Sequence, residues 1–168
     1  MKVQHKDIIA ALAGTYSLIN NTVTRNGTIQ PDSAGWGRNP SGLLTYTRWG
    51  YMSANIAATQ KDWRPDNIEW PPKATDSDAD WLLVGKHAMA YAGPFSLNAS
   101  VPATETEGQL LHGPIQVASV PSMVGDIQKR DYFVTEQDGV TYLFVFVTGV
   151  SNGVDFRSEI VWQRVAKG

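Results

Sequence analysis

Residues 39–56 read NPSGLLTYTRWGYMSANI. Two runs with strand character, Gly42–Thr47 and Gly50–Ala58, flank a bend at Arg48-Trp49. Such runs alternate and carry β-branched or aromatic residues, as a half-buried hairpin does. A bend this tight ordinarily falls on Gly, Asn or Asp, which tolerate the required backbone angles. Here it carries a charge and the largest apolar side chain. Either the pair ties the fold together or it rims a space that the fold encloses.

On either side of the hairpin the same punctuation recurs. Before the hairpin, Gly14–Thr24 is a strand, Asn26-Gly27 a turn and 31–40 a loop of Gly, Asp, Ser and Asn. The run Ile8–Ala13 predicts a short helix or an extended lead into that strand, and it is shorter than the apolar stretch of a signal peptide. After the hairpin, Gln60–Asp80 is polar, holds Trp63, Trp70 and Pro71-Pro72, and reads as an excursion over the surface. Both tryptophans are expected to pack down. Asp76-Ser77-Asp78 offers a helix cap, and Trp81, Val84 and Ala88 at helical spacing predict a helix running to Met89. Strands follow at Tyr91–Ala99, Leu110–Val120, Asp126–Thr135, Val140–Thr148 and Arg157–Val165, with turns at Asp138-Gly139 and Val150–Val154.

Eight sequential antiparallel strands close into an up-and-down barrel, which removes the exposed edges of a flat sheet. The expected fold is all-β: an eight-stranded barrel with one short helix inserted, as one domain over residues 1–168. An eight-stranded interior is either filled by side chains or holds one small ligand.

Composition narrows the function. With 42% apolar and 18% charged residues, the chain is globular in character and light on charge. The net charge of −2 provides no basic footprint for nucleic acid or for an anionic membrane. There is no cysteine, so thiolate chemistry and disulfides are out, in keeping with a reducing, cytoplasmic setting. His5, His87 and His112 stand far apart, without metal spacing, and no phosphate loop, nucleophile elbow or dinucleotide fingerprint occurs. No cofactor or metal is expected. Six Trp, six Tyr and five Phe fit a cavity walled by rings as well as an ordinary β core.

The segments LAGTYSLI, NPSGLLTYTRWGYMSANI, AYAGPFSL, VASVPSMVGDIQKRDYF and IVWQRV, in that order, resemble the lipocalin-like domain family of bacteria and fungi. The pattern P-x-G-x-L-x-Y-x-x-x-G-Y-M-S-A is met by Pro40, Gly42, Leu44, Tyr46, Gly50, Tyr51, Met52, Ser53 and Ala54; P-x-x-V-G-x-x-Q-x-R is met by Pro121, Val124, Gly125, Gln128 and Arg130. The resemblance implies a lipocalin-like (calycin-like) barrel with a central pocket. It does not fix one activity, and fold alone does not give function. Lipocalin-like barrels of natural-product pathways include cyclases and pericyclases. The chain departs from the pattern at Tyr16, where the wider group usually has Trp, and at Gly113-Pro114, which disturbs the register after His112. By resemblance, Arg164 packs over the ring at position 16, a cation–π contact of roughly 0.5–2 kcal/mol.

Two readings of function are open. One is a cofactor-independent enzyme that binds an apolar, oxygenated polyketide or terpenoid intermediate and carries out a cyclisation, a hetero-Diels–Alder or other cycloaddition, or an isomerisation. The other is a carrier that sequesters a hydrophobic small molecule. A homodimer acting through its surface is a third reading. For the enzyme, Arg130 is the candidate hydrogen-bond donor, because Lys129 and Asp131 on either side suit an outer face. Tyr51 is a candidate donor and His87 a candidate acid or base. Tyr46, Trp49, Ser53, Trp63, Trp81, His112, Tyr142 and Phe144 are the candidate substrate-binding residues.

Overall fold

The structure is a computed structural model that describes residues 5–31 and 35–166. Its elements are helix α1 (His5–Leu12), strands β1 (Gly14–Arg25), β2 (Thr28–Ile29), β3 (Ser41–Tyr46) and β4 (Tyr51–Ala57), helix α2 (Asp78–Lys86), then β5 (Ala88–Leu97), β6 (Glu107–His112), β7 (Val117–Ala118), β8 (Gln128–Gln137), β9 (Val140–Ser151) and β10 (Val154–Arg164). The sheet runs β10-β9-β8-β6-β5-β4-β3-β1, and β1 pairs back onto β10, closing an eight-stranded antiparallel barrel. β2 and β7 are short additions on β1 and β5. The expected all-β barrel is therefore present.

Its strand ends follow local chemistry. Three tight turns, at Asn26-Gly27, Asp138-Gly139 and Asn152-Gly153, hold both residues at positive φ, as the twist of a two-residue hairpin requires. The predicted strand Leu110–Val120 is instead two pieces, because Pro114 has no backbone donor for a ladder. The predicted helix to Met89 ends earlier: Ser77 caps its start by accepting from the Asp80 amide, His87 is its C-cap, and Met89 already belongs to β5.

Alternation decides what faces in. Met52, Ala54 and Ile56 of β4 are buried while Tyr51 and Asn55 are exposed; Tyr91 and Phe95 of β5, Leu110 and His112 of β6, Leu143 and Val145 of β9 also point inward. One end of the barrel is plugged by α1, whose Ile8 and Leu12, one turn apart, are fully buried. The last carbonyls of this helix have no partners within it. Tyr16 Oη donates to the Leu12 carbonyl at 2.7 Å, and Arg164 Nη2 donates to the Ala11 carbonyl at 2.6 Å. The Arg164 guanidinium lies 5.1 Å from the Tyr16 ring centroid and donates to its hydroxyl. A cation here also complements the negative end of the helix dipole.

Arg164 thus ties β10, β1 and α1 together. Replacing it by Met keeps the apolar stem and removes the charged donors. Arg164→Met is expected to lower unfolding free energy by about 1.5–3 kcal/mol, read from the midpoint of urea denaturation at constant slope.

Candidate functional site

With α1 filling one end, the lumen faces the other, where the β1–β3 connection, the long β4–β5 connection and α2 gather. A cavity of about 110 Å³ lies there. Leu44, Ile56, Val145 and Ile160 supply apolar walls from β3, β4, β9 and β10. The polar lining consists of Tyr91, His112, Arg130, Ser158 and Trp162. Trp36, from the β1–β3 connection, packs on the core and lines the same cavity.

His112 is the centre of a buried network. It is 1% exposed, with Nε2 2.7 Å from Tyr46 Oη and Nδ1 3.2 Å from Tyr91 Oη. Burial, helped by the positive charge of Arg130, pushes its pKa down to about 3, so it is neutral at physiological pH. Burial raises the Tyr46 phenol well above its ordinary value; it also raises that of Tyr91, against the pull of Arg130. Arg130 faces the lumen with its guanidinium donating to the Lys129 carbonyl at 2.8 Å and to Gln128 Oε1. Among the described residues no carboxylate pairs with it: the ion pairs are Lys73–Glu69 and Arg157–Glu159. The Trp162 indole nitrogen, in a side chain 2% exposed, has no hydrogen-bond partner among the described residues.

Of the residues singled out from sequence, Arg130 and His112 come together at this cavity, and Tyr46 joins them through His112. The others lie elsewhere. Tyr51 is 51% exposed on the outer face of β4, beside Ser53, whose hydroxyl accepts from Asn55 Nδ2. The strand face expected at the lumen is thus the opposite one. Trp49 is 79% exposed, with the Arg48 guanidinium 5.5 Å from its ring centroid. Its bend sits at the end that Ile8 and Leu12 already fill, so it neither plugs the barrel nor rims the cavity. Tyr142 and Phe144 lie on the outer face of β9, where Phe144 meets Phe133 at 6.1 Å. Phe133, Phe144 and Phe146 border an outer groove of about 440 Å³. That groove is larger than the lumen cavity but shallow, and its cation, Arg157, is already spent on Glu159 and the Phe146 ring.

Trp63, His87 and Trp81 serve the connections at the lumen's free end. Trp63 stacks on His87 at 3.9 Å, and His87 Nδ1–H donates to the Gly35 carbonyl at 2.6 Å. Gly37, at φ 67°, runs so close to Gln60 and Trp63 that a Cβ there would overlap the Gln60 side chain. These contacts are made by the residues on either side of Trp36, which itself lines the cavity. Trp81 Nε1 donates to Asp76 Oδ2 at 3.0 Å, inside the α2 start. Trp70, expected to pack down, is 83% exposed.

Tyr91, Trp36 and Trp162 were missed as site residues. Tyr91 was legible, being two and four residues from Gly93 and Phe95 on one strand face. Trp36 carries no periodic signal, because it lies in a loop. Among the described residues no helix is long and apolar enough to cross a membrane, and no three His, Asp or Glu gather as a metal set.

A family model described as a lipocalin-like domain matches residues 13–165. No curated protein and no solved structure matches the chain.

The buried neutral histidine makes stability depend on pH. Between its ordinary value of 6.5 and about 3, the unfolded chain takes up a proton that the folded chain refuses. Stability is then full above pH 6.5 and falls as pH drops toward 3, with a His112 slope approaching about 1.4 kcal/mol per pH unit. Urea titrations from pH 7 to 4 should show this slope in the native chain and its loss in His112→Gln, which is less stable at pH 7 but flatter.

Proposed function

The chain belongs to the lipocalin-like domain family, and from that premise we propose that its lumen takes up a small apolar molecule bearing oxygen and, without a cofactor, guides its cyclisation or cycloaddition. Binding of a small hydrophobic ligand is what a lipocalin-like barrel suggests; the reaction is the finer part of the reading. The observation that carries it is Arg130: an Arg with no carboxylate partner among the described residues, on the wall of a mostly apolar cavity. A charge in such a place is costly unless something compensates it. A ligand oxygen that gains negative character would do so, and more strongly as the bonds reorganise.

The titratable groups argue for one kind of chemistry. His112 is held neutral down to about pH 3, and the two phenols around it are raised. None is poised near neutrality, where general acid–base catalysis works best. This favours a concerted step, such as a hetero-Diels–Alder addition, over an isomerisation that moves protons. Confinement alone can remove roughly 7–11 kcal/mol of barrier when two reacting parts are held in line. The cavity, about 110 Å³, takes a ring rather than a whole natural product. The forming ring would sit inside, with the remaining chain leaving past Trp36.

The same smallness, with a lumen lacking any poised base, also favours the second reading, a carrier of an apolar headgroup. We place the protein in the cytoplasm, which its lack of cysteine supports.

Deleting the gene in the native host and profiling metabolites by chiral chromatography and mass spectrometry tests the proposal. The expected result is the loss of one defined product and accumulation of its uncyclised or stereochemically scrambled relatives. Unchanged products and isomer ratios, with altered amounts or location only, would leave the carrier. In the purified protein, Arg130→Ala is expected to retain the fold and lower turnover by about 10²–10³; full activity in the folded variant would remove Arg130 from the reaction.

A further inference from the structure

We infer that, Ser158 apart, the polar groups of the lumen present hydrogen-bond donors to its occupant, and that this occupant is therefore a ring-sized apolar group carrying an anionic oxygen: an enolate, phenolate or carboxylate. This rests on the lumen-binding reading and deepens it.

Proton accounting leads there. Tyr46 is fully buried, and among the described residues its hydroxyl has one partner, His112 Nε2 at 2.7 Å. A buried O–H left without an acceptor is costly, so Tyr46 donates and Nε2 accepts. A neutral imidazole carries its single proton on the other nitrogen. Nδ1–H then donates to the Tyr91 oxygen at 3.2 Å. That oxygen accepts from His112 and from Arg130, leaving its own O–H to donate, and Tyr91 lines the cavity. The chain of bonds runs one way, from Tyr46 through His112 to Tyr91 and out into the lumen.

Two further donors line the same space. The Trp162 indole N–H is buried and, among the described residues, unpartnered. Native proteins rarely leave such a group unsatisfied, and indole can only donate. Arg130 brings a guanidinium that donates to Lys129, Gln128 and the Tyr91 oxygen and still has N–H groups to spare. The acceptor nearest to it, Gln128 Oε1, is spent on that bond. Ser158 alone can take either role. Donors on β5, β8 and β10 surrounding one cavity fit an oxygen with several lone pairs, and the unneutralised charge of Arg130 favours a negative one.

Four ring-sized probes separate the terms: benzoate, acetophenone, toluene and benzylammonium, titrated into the native protein at pH 7 with ligand-observed NMR and tryptophan fluorescence as readouts. The expected order is benzoate at least tenfold tighter than toluene, acetophenone between them, and no binding of benzylammonium. Tyr91→Phe and Arg130→Gln are each expected to weaken benzoate about tenfold while leaving toluene unchanged. Benzoate no tighter than acetophenone would overturn the anionic assignment. Toluene or benzylammonium as tight as benzoate would overturn the donor lumen while leaving lumen binding intact. Failure of every probe would remove lumen binding for molecules of this size, and the inference with it. The native protein also offers a test needing no variant: nitrogen-15 shifts of His112 should report the Nδ1–H tautomer from pH 5 to 8. The Nε2–H tautomer or an imidazolium would overturn the direction of the chain.

Discussion

The pairing of β1 with β10 is the constraint from which the rest of the molecule follows. Tyr16 to Leu18 run opposite Arg164 to Trp162; after an irregularity at Ile19, Asn20 to Arg25 run opposite Val161 to Phe156. This seam joins the two ends of the chain's sheet. Without it the structure would be an open eight-stranded sheet with two unpaired edges, and no enclosed space would exist. It also brings the end of the chain next to its beginning. Arg164 can then satisfy the last carbonyls of α1 while lying over Tyr16.

Closure has an electrostatic consequence. A closed and plugged barrel buries its interior residues, and His112 is among them. Removed from solvent and near Arg130, the imidazole stays neutral where a free histidine would titrate. Neutrality makes it useful as a connector: one nitrogen accepts and the other donates, so it orients two tyrosines. The same low-polarity surroundings strengthen the field of the Arg130 charge on the cavity. The lumen's character therefore arises from its seal as much as from its residues.

The barrel was legible in the sequence because its signals are local. Alternation in Gly42–Thr47 and Val140–Thr148, and the turn pairs Asn26-Gly27 and Asp138-Gly139, act within a few residues. The candidate site was legible only in part. Arg130 could be oriented from its neighbours Lys129 and Asp131, whose charges suit solvent. Tyr51, Ser53 and Asn55 could be grouped on one face, but both faces of that strand offered plausible linings. The outward choice follows from burial of Met52, Ala54 and Ile56, which depends on the whole barrel. Trp63 and His87 are recognisable as unusual residues, yet their stacking joins segments separated by a long excursion.

By itself, then, the sequence determined the eight barrel strands though not the two short additions, the order of the main turns, the absence of cysteine chemistry and the family resemblance, because each depends on neighbouring residues or composition. Tertiary structure decided which face of every strand looks inward, which end α1 closes, and that Tyr46, Tyr91 and His112 share one network with Arg130 and Trp162 around its cavity. Those facts depend on residues from five strands meeting across a closed barrel. The register and shear that bring them together are set by the cooperative pairing of all eight strands, and no short stretch encodes that.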